Sequence, residues 1–531
     1  MFQKYDLLGW TTLVVSFLLI NVYCLNINLN ADSSFPLRYI SALFDSAPHL
    51  ISVQPGSRIF PEWFYSAIVS IFTSHPLQWL RGVILINITV LLLSLYYFCR
   101  TLQYTATNAK LICSLILSLI PALNIFHHNV LVYFVFSPGI HGFYIAYIIF
   151  SFALTYQILT AKQTTFQMLF YFLIVSLCAF SNVAFLLAVL PSCVLLIIWL
   201  KAKSQIHWKP ILSWSVITVI AIVASNILIS AVDQLDSIIL MSQSQPMFEV
   251  GIKPWLFENN RLYHQLNDRT VSGYSFEILL FSVITSLIIL IKSLFRKAIT
   301  NSVVVNLLFI PWLFVFLLAM WSINKGNVRW IPFLLLFSPF ILLSNLNYLI
   351  HWIKFRYLST LCWVFITAGV ISFILFKKPN TPYIRYHQII PILESLRSQN
   401  KINQFGLADY WVGNMAHDSD FELAPISSSG RPRFFATNLF KAWSWDGQKL
   451  QRKKMTFLVN VCGENMKCAF DEEKLSKTLG PFDEKINKPV GNKAYLIYIY
   501  KEGINLSAYY DYAESIIKQQ APTLYSNYLT Q

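Results

Sequence analysis

Charge is the scarcest thing in this chain. Only 12% of its 531 residues are Asp, Glu, Lys or Arg, while 56% are hydrophobic and the mean hydropathy is +0.54. A soluble chain carries about 25% charge, so a soluble fold over the whole length is excluded. Short alternating segments of the kind that build membrane barrels are also missing; the apolar runs are long instead. There is no Walker A, G-x-S-x-G or H-E-x-x-H pattern, which removes support for P-loop, α/β-hydrolase and zincin chemistry. No basic patch interleaved with aromatics occurs, so the net charge of +15 gives no reason to expect a nucleic-acid partner. No A-x-A-like site follows the first apolar segment, about Leu7 to Leu25, which therefore reads as a retained anchor. Internal repeats and low-complexity stretches are absent too.

What is present is a succession of apolar runs of roughly the 18 or more residues that cross a bilayer. Eleven spans are expected: about 7–27, 82–99, 110–125, 140–160, 167–180, 183–200, 211–232, 276–292, 302–321, 330–348 and 358–376. Only Ser181 and Asn182 part the fifth from the sixth. Bases gather in the short connections: Arg100 and Lys110; Lys162; Lys201, Lys203 and Lys209; Lys292, Arg296 and Lys297; Lys354 and Arg356. With the N-terminus in the cytoplasm all of these fall on the cytoplasmic side, as the positive-inside rule requires. The acids before Phe376 then fall outside, with Asp6 as the exception. An odd number of spans sends the tail outside as well. Short loops and a plain anchor suggest a bacterial inner membrane with a periplasmic tail.

Two domains follow. Residues 1–376 form an all-α polytopic membrane domain with a long first outer loop, 26–81. Residues 377–531 form an extracytoplasmic α/β domain, where acids rise to 15 from the 10 of the larger preceding part. Within the first loop, Pro36–Asp45 and Pro61–Thr73 are amphipathic and aromatic, like helices lying in the membrane interface. In the tail, Gln404–Ala408, Met455–Val461 and Ala494–Tyr500 read as strands, and Arg385–Gln399, Glu472–Leu479 and Ala508–Lys518 as helices.

Candidate chemistry sits on the outer side. Asp32, just past the first span, can take a proton from an acceptor hydroxyl; the competing reading is a helix cap in Asp32-Ser33-Ser34. Glu62 follows Pro61 at a helix start, where an acid also suits the helix dipole. Arg38, Arg58, Lys325 and Arg329 are cations of the same face and suit a phosphate, against the ordinary alternative of snorkelling to headgroups. His127-His128 is a weak metal signal without nearby acids, and Asp418-Ser419-Asp420 lacks a nucleotide-binding unit around it. Asp409, Tyr410 and Trp411, followed by Asn414, have the composition of a sugar-contacting loop; an aromatic core corner is the alternative. Cys462 and Cys468 are spaced for a small disulfide loop if the tail is extracytoplasmic, with zinc as a competitor that lacks two further ligands. The other six cysteines lie in or beside apolar runs as packing residues.

The layout resembles the GT-C superfamily, the integral-membrane glycosyltransferases that use polyprenyl-phosphate-linked sugars and include mannosyltransferase- and aminoarabinose-transferase-like members. Phe60-Pro61-Glu62-Trp63-Phe64-Tyr65 is similar to the family's proline-aromatic helix start, and Arg329-Trp330-Ile331-Pro332 resembles its Arg-aromatic-x-Pro start of a late helix near the lipid phosphate. The resemblance covers about residues 1–376. It implies Asp32 as catalytic base, a polyprenyl-phosphate sugar as donor, and a glycan, lipid or protein acceptor on the outer face. Where many members carry Asp-Glu or D-x-D, Asp32 is followed by Ser33; no metal ligand set is assigned, and a divalent metal is left open. The alternative from another class is a non-enzymatic scaffold or envelope-assembly protein whose tail binds glycan or protein. A transporter fits less well, since its charges would lie within spans.

Overall fold

In the computed structural model the described residues are 2–25, 27, 51–53, 59–73, 75–127, 136, 142–161, 164–181, 184–233, 238–240, 275–295, 300–309, 341–342, 344–345, 355–375, 389–409, 412, 421–426, 445–446, 449–450, 454–462, 468–490 and 493–506. Long apolar helices dominate: α1 (Phe2–Cys24), the short α2 (Phe64–Ser70), α3 (Pro76–Thr101), α4 (Ala106–His127), α5 (Tyr144–Thr160), α6 (Thr165–Ser181), α7 (Ala184–Ala202), α8 (Trp208–Asp233), α9 (Ser275–Leu294) and α10 (Phe355–Leu375). The expected spans from 7–27 to 276–292, and 358–376, each lie on one of these, and the division between the fifth and sixth holds as α6 and α7. Among the described residues, five helical stretches are long and apolar enough to cross a membrane: Asp6–Cys24, Gln78–Thr101, Phe185–Ala202, Trp208–Ala231 and Tyr357–Leu375. Four shorter apolar helices accompany them: Ala106–Ala122, Tyr144–Thr160, Thr165–Ser181 and Leu280–Leu294. Residues 301–309 are helical as well; most of the expected tenth span lies outside the described residues.

Close approach of α1, α4 and α10 makes the first of two packing centres. It depends on Gly369: a Cβ there would stand 2.9 Å from Leu19 Cδ2 and 3.1 Å from Pro121 Cβ. Small residues serve the same purpose between membrane helices generally. The Tyr23 hydroxyl donates to the Gly369 carbonyl across the contact at 3.2 Å. The second centre gathers α5, α6, α7 and α8. Here Trp214 Nε1 donates to Thr155 Oγ1 at 3.1 Å, and the Tyr171 and Thr218 hydroxyls meet at 3.2 Å. Such buried polar contacts tie helices together where lipid outside offers no hydrophobic contrast.

Contacts also sort the helix ends. At one end Lys110 Nζ reaches Asp6 Oδ1 at 2.5 Å, with Lys110 only 4% exposed, and it lies 4.2 Å over the Trp10 ring. Gln157 Nε2 donates to Thr101, Asn301 Nδ2 to the Leu102 carbonyl, and Lys203 Nζ to the Leu294 carbonyl. The described connections that carry Arg100, Lys110, Lys201, Lys203 and Lys292 therefore share this end. Asp6, the acid that stood apart from the others by position, is here the counter-charge of a buried lysine. At the other end, β1 (Ile51–Val53) pairs in parallel with β2 (Ile238–Leu240), which joins the two long loops.

The tail contains α11 (Ile389–Ser398), β3 (Phe405–Ala408), β4 (Glu422–Pro425), the two-residue strands β5 (Trp445–Asp446) and β6 (Lys449–Leu450), β7 (Phe457–Cys462), α12 (Glu472–Leu479), β8 (Glu484–Val490) and β9 (Lys493–Ile499). One five-stranded sheet has the order β4-β3-β7-β9-β8. Its first three strands are parallel and its last two pairings antiparallel. On one face α11 buries Ile389, Leu393 and Leu396 against Phe457, Val459 and Ile497. On the other α12 buries Leu475 and Leu479 against Leu458, Leu496 and Tyr498. Among the described residues the α/β reading is met by a sheet with one helix on each face. The expected helix Ala508–Lys518 lies outside the described residues.

Candidate active site at one end of the bundle

A buried carboxyl marks the end at which β1 and β2 meet. Residues Ile59–Trp63 form a kinked turn, extended at Phe60, with a cis Phe60–Pro61 bond, and α2 follows directly. Proline cannot donate a backbone hydrogen bond, so neighbouring side chains hold the turn. Phe60 N donates to Ser181 Oγ at 2.7 Å, fixing the turn on the carboxyl end of α6. Ser66 Oγ donates back to the Glu62 carbonyl at 2.7 Å. Glu62 itself is fully buried. A carboxyl group taken out of water has to be matched by polar surroundings. Trp63, not Glu62, occupies the cap position of α2, and no side-chain cap bond is formed there.

Aromatic side chains build the surroundings. The Tyr65 and Tyr147 hydroxyls meet at 2.6 Å in a buried pair between α2 and α5. The Phe60 ring stands edge-on to Tyr147 at 4.8 Å, and Tyr65 lies 5.6 Å from Phe143. Burial pushes the Tyr65 phenol well above its usual range, and a phenol hydroxyl can both donate and accept. Beneath α2, Gly82 of α3 admits Val69, whose Cγ1 would lie 2.7 Å from a Cβ at that glycine. The outward side of the same segment is apolar and open, with Phe64 54% and Phe72 81% exposed. The expected interfacial helix Pro61–Thr73 thus has one face in the bundle and one free apolar face, but its first residues are a buried turn.

Of the other expected site residues, Asp32, Arg38, Arg58, Lys325, Arg329, Tyr410 and Trp411 lie outside the described residues, as does the stretch Pro36–Asp45. Asp409 is buried at the end of β3, and its Oδ1 accepts from Val412 N at 2.8 Å. One carboxylate oxygen is thereby committed to holding its own turn. Cys462 and Cys468 form a disulfide with Cα atoms 3.8 Å apart. The six remaining cysteines are buried and free, consistent with packing. Among the described residues, no group of three His, Cys, Asp or Glu could hold a metal ion. Tyr147 escaped notice in the sequence, since nothing local distinguishes it from other residues of an apolar helix; Tyr65 stood there only as part of a proline-aromatic run, and Ser181 only as part of the break between the fifth and sixth spans.

No family model matches the chain, and no curated protein matches it in sequence.

Proposed function

We propose that the chain is an integral-membrane glycosyltransferase of GT-C type, moving a sugar from a polyprenyl-phosphate donor to an acceptor on the outer face by inversion. The observation that carries this reading is the burial of the Glu62 carboxyl in a braced turn, at the end of the bundle where the two long loops are joined. In this reading the eleven spans place the end rich in bases in the cytoplasm. The opposite end and the tail face an oxidising compartment, where a disulfide such as Cys462–Cys468 persists. Asp32 is the base that takes the acceptor proton, and Glu62 is a second acid that organises the same face. Arg329, with Arg58 or Lys325 and with Arg38 nearby in the first loop, neutralises charge developing on the leaving phosphate. The prenyl chain lies along the apolar surface of the spans.

The test is product formation in membranes supplied with a polyprenyl-phosphate sugar. General acid–base groups contribute about 100-fold to 10,000-fold, so Asp32→Asn and Glu62→Gln each lower turnover by at least about 100-fold at equal expression. Unchanged product from Asp32→Asn removes it from the mechanism.

A second reading has its own support. The tail encloses two apolar cores, one on each sheet face, and a self-contained unit of that kind suits a binding module on a non-enzymatic membrane scaffold. That reading expects Asp32 and Arg329 substitutions to be tolerated while changes at Asp409–Trp411 are not.

A further inference from the structure

Of the five described stretches of membrane length, Trp208–Ala231 of α8 is the least covered by the rest of the chain. Of its apolar segment 22% is buried, against 28% to 50% for the other four. One side of α8 packs: Trp214, Thr218, Ala221 and Ser225 are buried, and Trp214 and Thr218 bond to Thr155 and Tyr171. The opposite side is open. Leu212, Val216, Val219, Val223, Asn226 and Ser230 are all exposed, and they recur at alternating steps of four and three residues. A repeat of about 3.5 residues is the one with which a seam on one helix meets a second helix in a left-handed pair.

Asn226 interrupts the apolar character of that seam. It stands seven residues before Asp233, the last residue of α8, which is about 10 Å along the helix axis. A side chain as short as asparagine cannot span that distance to the helix end. Its carboxamide is exposed and makes no hydrogen bond to another described residue. Other amides of the bundle are placed differently: Asn21 Nδ2 donates to the Phe17 carbonyl at 2.7 Å and Gln157 Nε2 to Thr101 at 2.9 Å. Lipid offers an amide no hydrogen bond, so such a group is matched by a neighbouring helix.

We infer that α8 is a self-association surface, on which a second copy of this chain packs its own α8 along the same seam. Two copies inserted in the same sense set these helices parallel about a two-fold axis along the membrane normal. Each seam residue then faces its like at the same depth. A carboxamide carries both a donor and an acceptor, so Asn226 is completed by Asn226 of the second copy. One asparagine in an apolar seam also fixes the register of the two helices. Ser230, one turn further on, is small enough to let the backbones approach. Val216, Val219 and Val223 are stiff about χ1 and lose little freedom when packed.

The experiment uses the full chain, carrying either of two fluorophores and reconstituted in phosphatidylcholine vesicles at decreasing protein-to-lipid ratio. Energy transfer reads the dimer fraction. The parent is expected to follow the dilution curve of a dimer. Asn226→Leu is expected to move its midpoint about tenfold toward higher protein density, as loss of hydrogen bonding between helices in lipid does. Asn226→Gln keeps the carboxamide and is expected to stay within about threefold of the parent. In membranes treated with copper phenanthroline, Val223→Cys should give a disulfide-linked dimer, while Ile291→Cys on the exposed side of α9 should not. The substituted positions are exposed, and unfolding midpoints equal to that of the parent report that each variant has folded. The assignment is overturned by a parent that is monomeric at every density, or by association of Asn226→Leu as strong as the parent's. Cross-linking at Ile291→Cys equal to that at Val223→Cys, or a different membrane protein seated on α8 in place of the second copy, overturns it as well.

Discussion

The bundle and the tail obey one physics in two solvents. In the bundle the outward residues are apolar, with Phe166 74% and Leu212 66% exposed, while Ser151, Thr155, Ser192 and Asn306 are buried between helices. In the tail the apolar residues close into two cores, and the surface carries pairs such as Lys401 with Glu484 and Lys485 with Glu472. Burial of apolar area drives the second arrangement because water surrounds it. It cannot organise the first, where lipid is as apolar as leucine, so close backbone approach and buried hydrogen bonds take over. The contrast teaches what stands out in the bundle: a buried carboxyl such as Glu62 and an outward amide such as Asn226.

The largest expected effect is chemical and would fix the division between the regions: turnover falls at least about 100-fold in Glu62→Gln while the unfolding midpoint of the tail is unchanged. A matching fall in that midpoint would show that the two regions depend on one another. Next come the packing centres. Gly369→Leu in the bundle and Gly406→Leu in the tail both force contacts, since a Cβ would lie 2.9 Å from Leu19 and 2.5 Å from Phe457 respectively. Overpacking costs about 1–3 kcal/mol. Thermal unfolding followed in detergent should show the Gly369 variant loosening the α1–α4–α10 contact, and the Gly406 variant lowering only the transition of the tail.

Asp6→Asn strips the buried Lys110 ammonium of its partner, and a fall in the unfolding midpoint of the bundle is expected. The double variant Asp6→Asn with Lys110→Met should recover most of it, and a double-mutant cycle on unfolding midpoints is the measurement. Opening the Cys462–Cys468 loop by Cys462→Ser and Cys468→Ser should cost the tail about 2 kcal/mol, read as the shift of its unfolding midpoint against the oxidised parent.

The smallest effects are those of pH on the tail. The hydrogen bond from Lys485 lowers the Glu472 carboxyl below its ordinary 4.5. A depressed acid gives stability that is present above the unfolded value and lost as pH falls through the folded one, so this increment disappears below about pH 4.5. Burial, joined by the nearby Glu472 charge, raises the Tyr498 phenol to about 12. A raised group loses its contribution as pH climbs, here between the ordinary 10.0 and about 12. Unfolding midpoints of the tail across pH should therefore decline at both limits, and Lys485→Met should flatten the acid limb alone.

Much of this was legible in residues alone, and the parts that were not have a common cause. The apolar runs mark the helices because each is a local stretch of uniform character. Gln404–Ala408, Met455–Val461 and Ala494–Tyr500 matched β3, β7 and β9 to within two residues at each end, since all three are central strands with strong apolar content. β8 was missed: Glu484-Lys485-Ile486-Asn487-Lys488-Pro489-Val490 is a charged edge strand, whose identity comes from pairing with β9. β4 was missed because four residues ending in proline carry no period. The Cys462–Cys468 pair was visible in spacing, whereas Asp409 was visible as an acid among aromatics but not as the residue that holds Val412.

By itself the sequence determined that apolar helices dominate the first part of the chain, roughly where the described ones lie, and that an α/β unit follows. These depend on composition and near-neighbour pattern. Only the tertiary structure decided that Asp6 answers Lys110, that Tyr65 meets Tyr147, and that the two long loops share a strand pairing. Each of these joins residues that are distant along the chain, and local pattern carries no record of which distant partner will complete a buried charge, a hydroxyl or a strand edge.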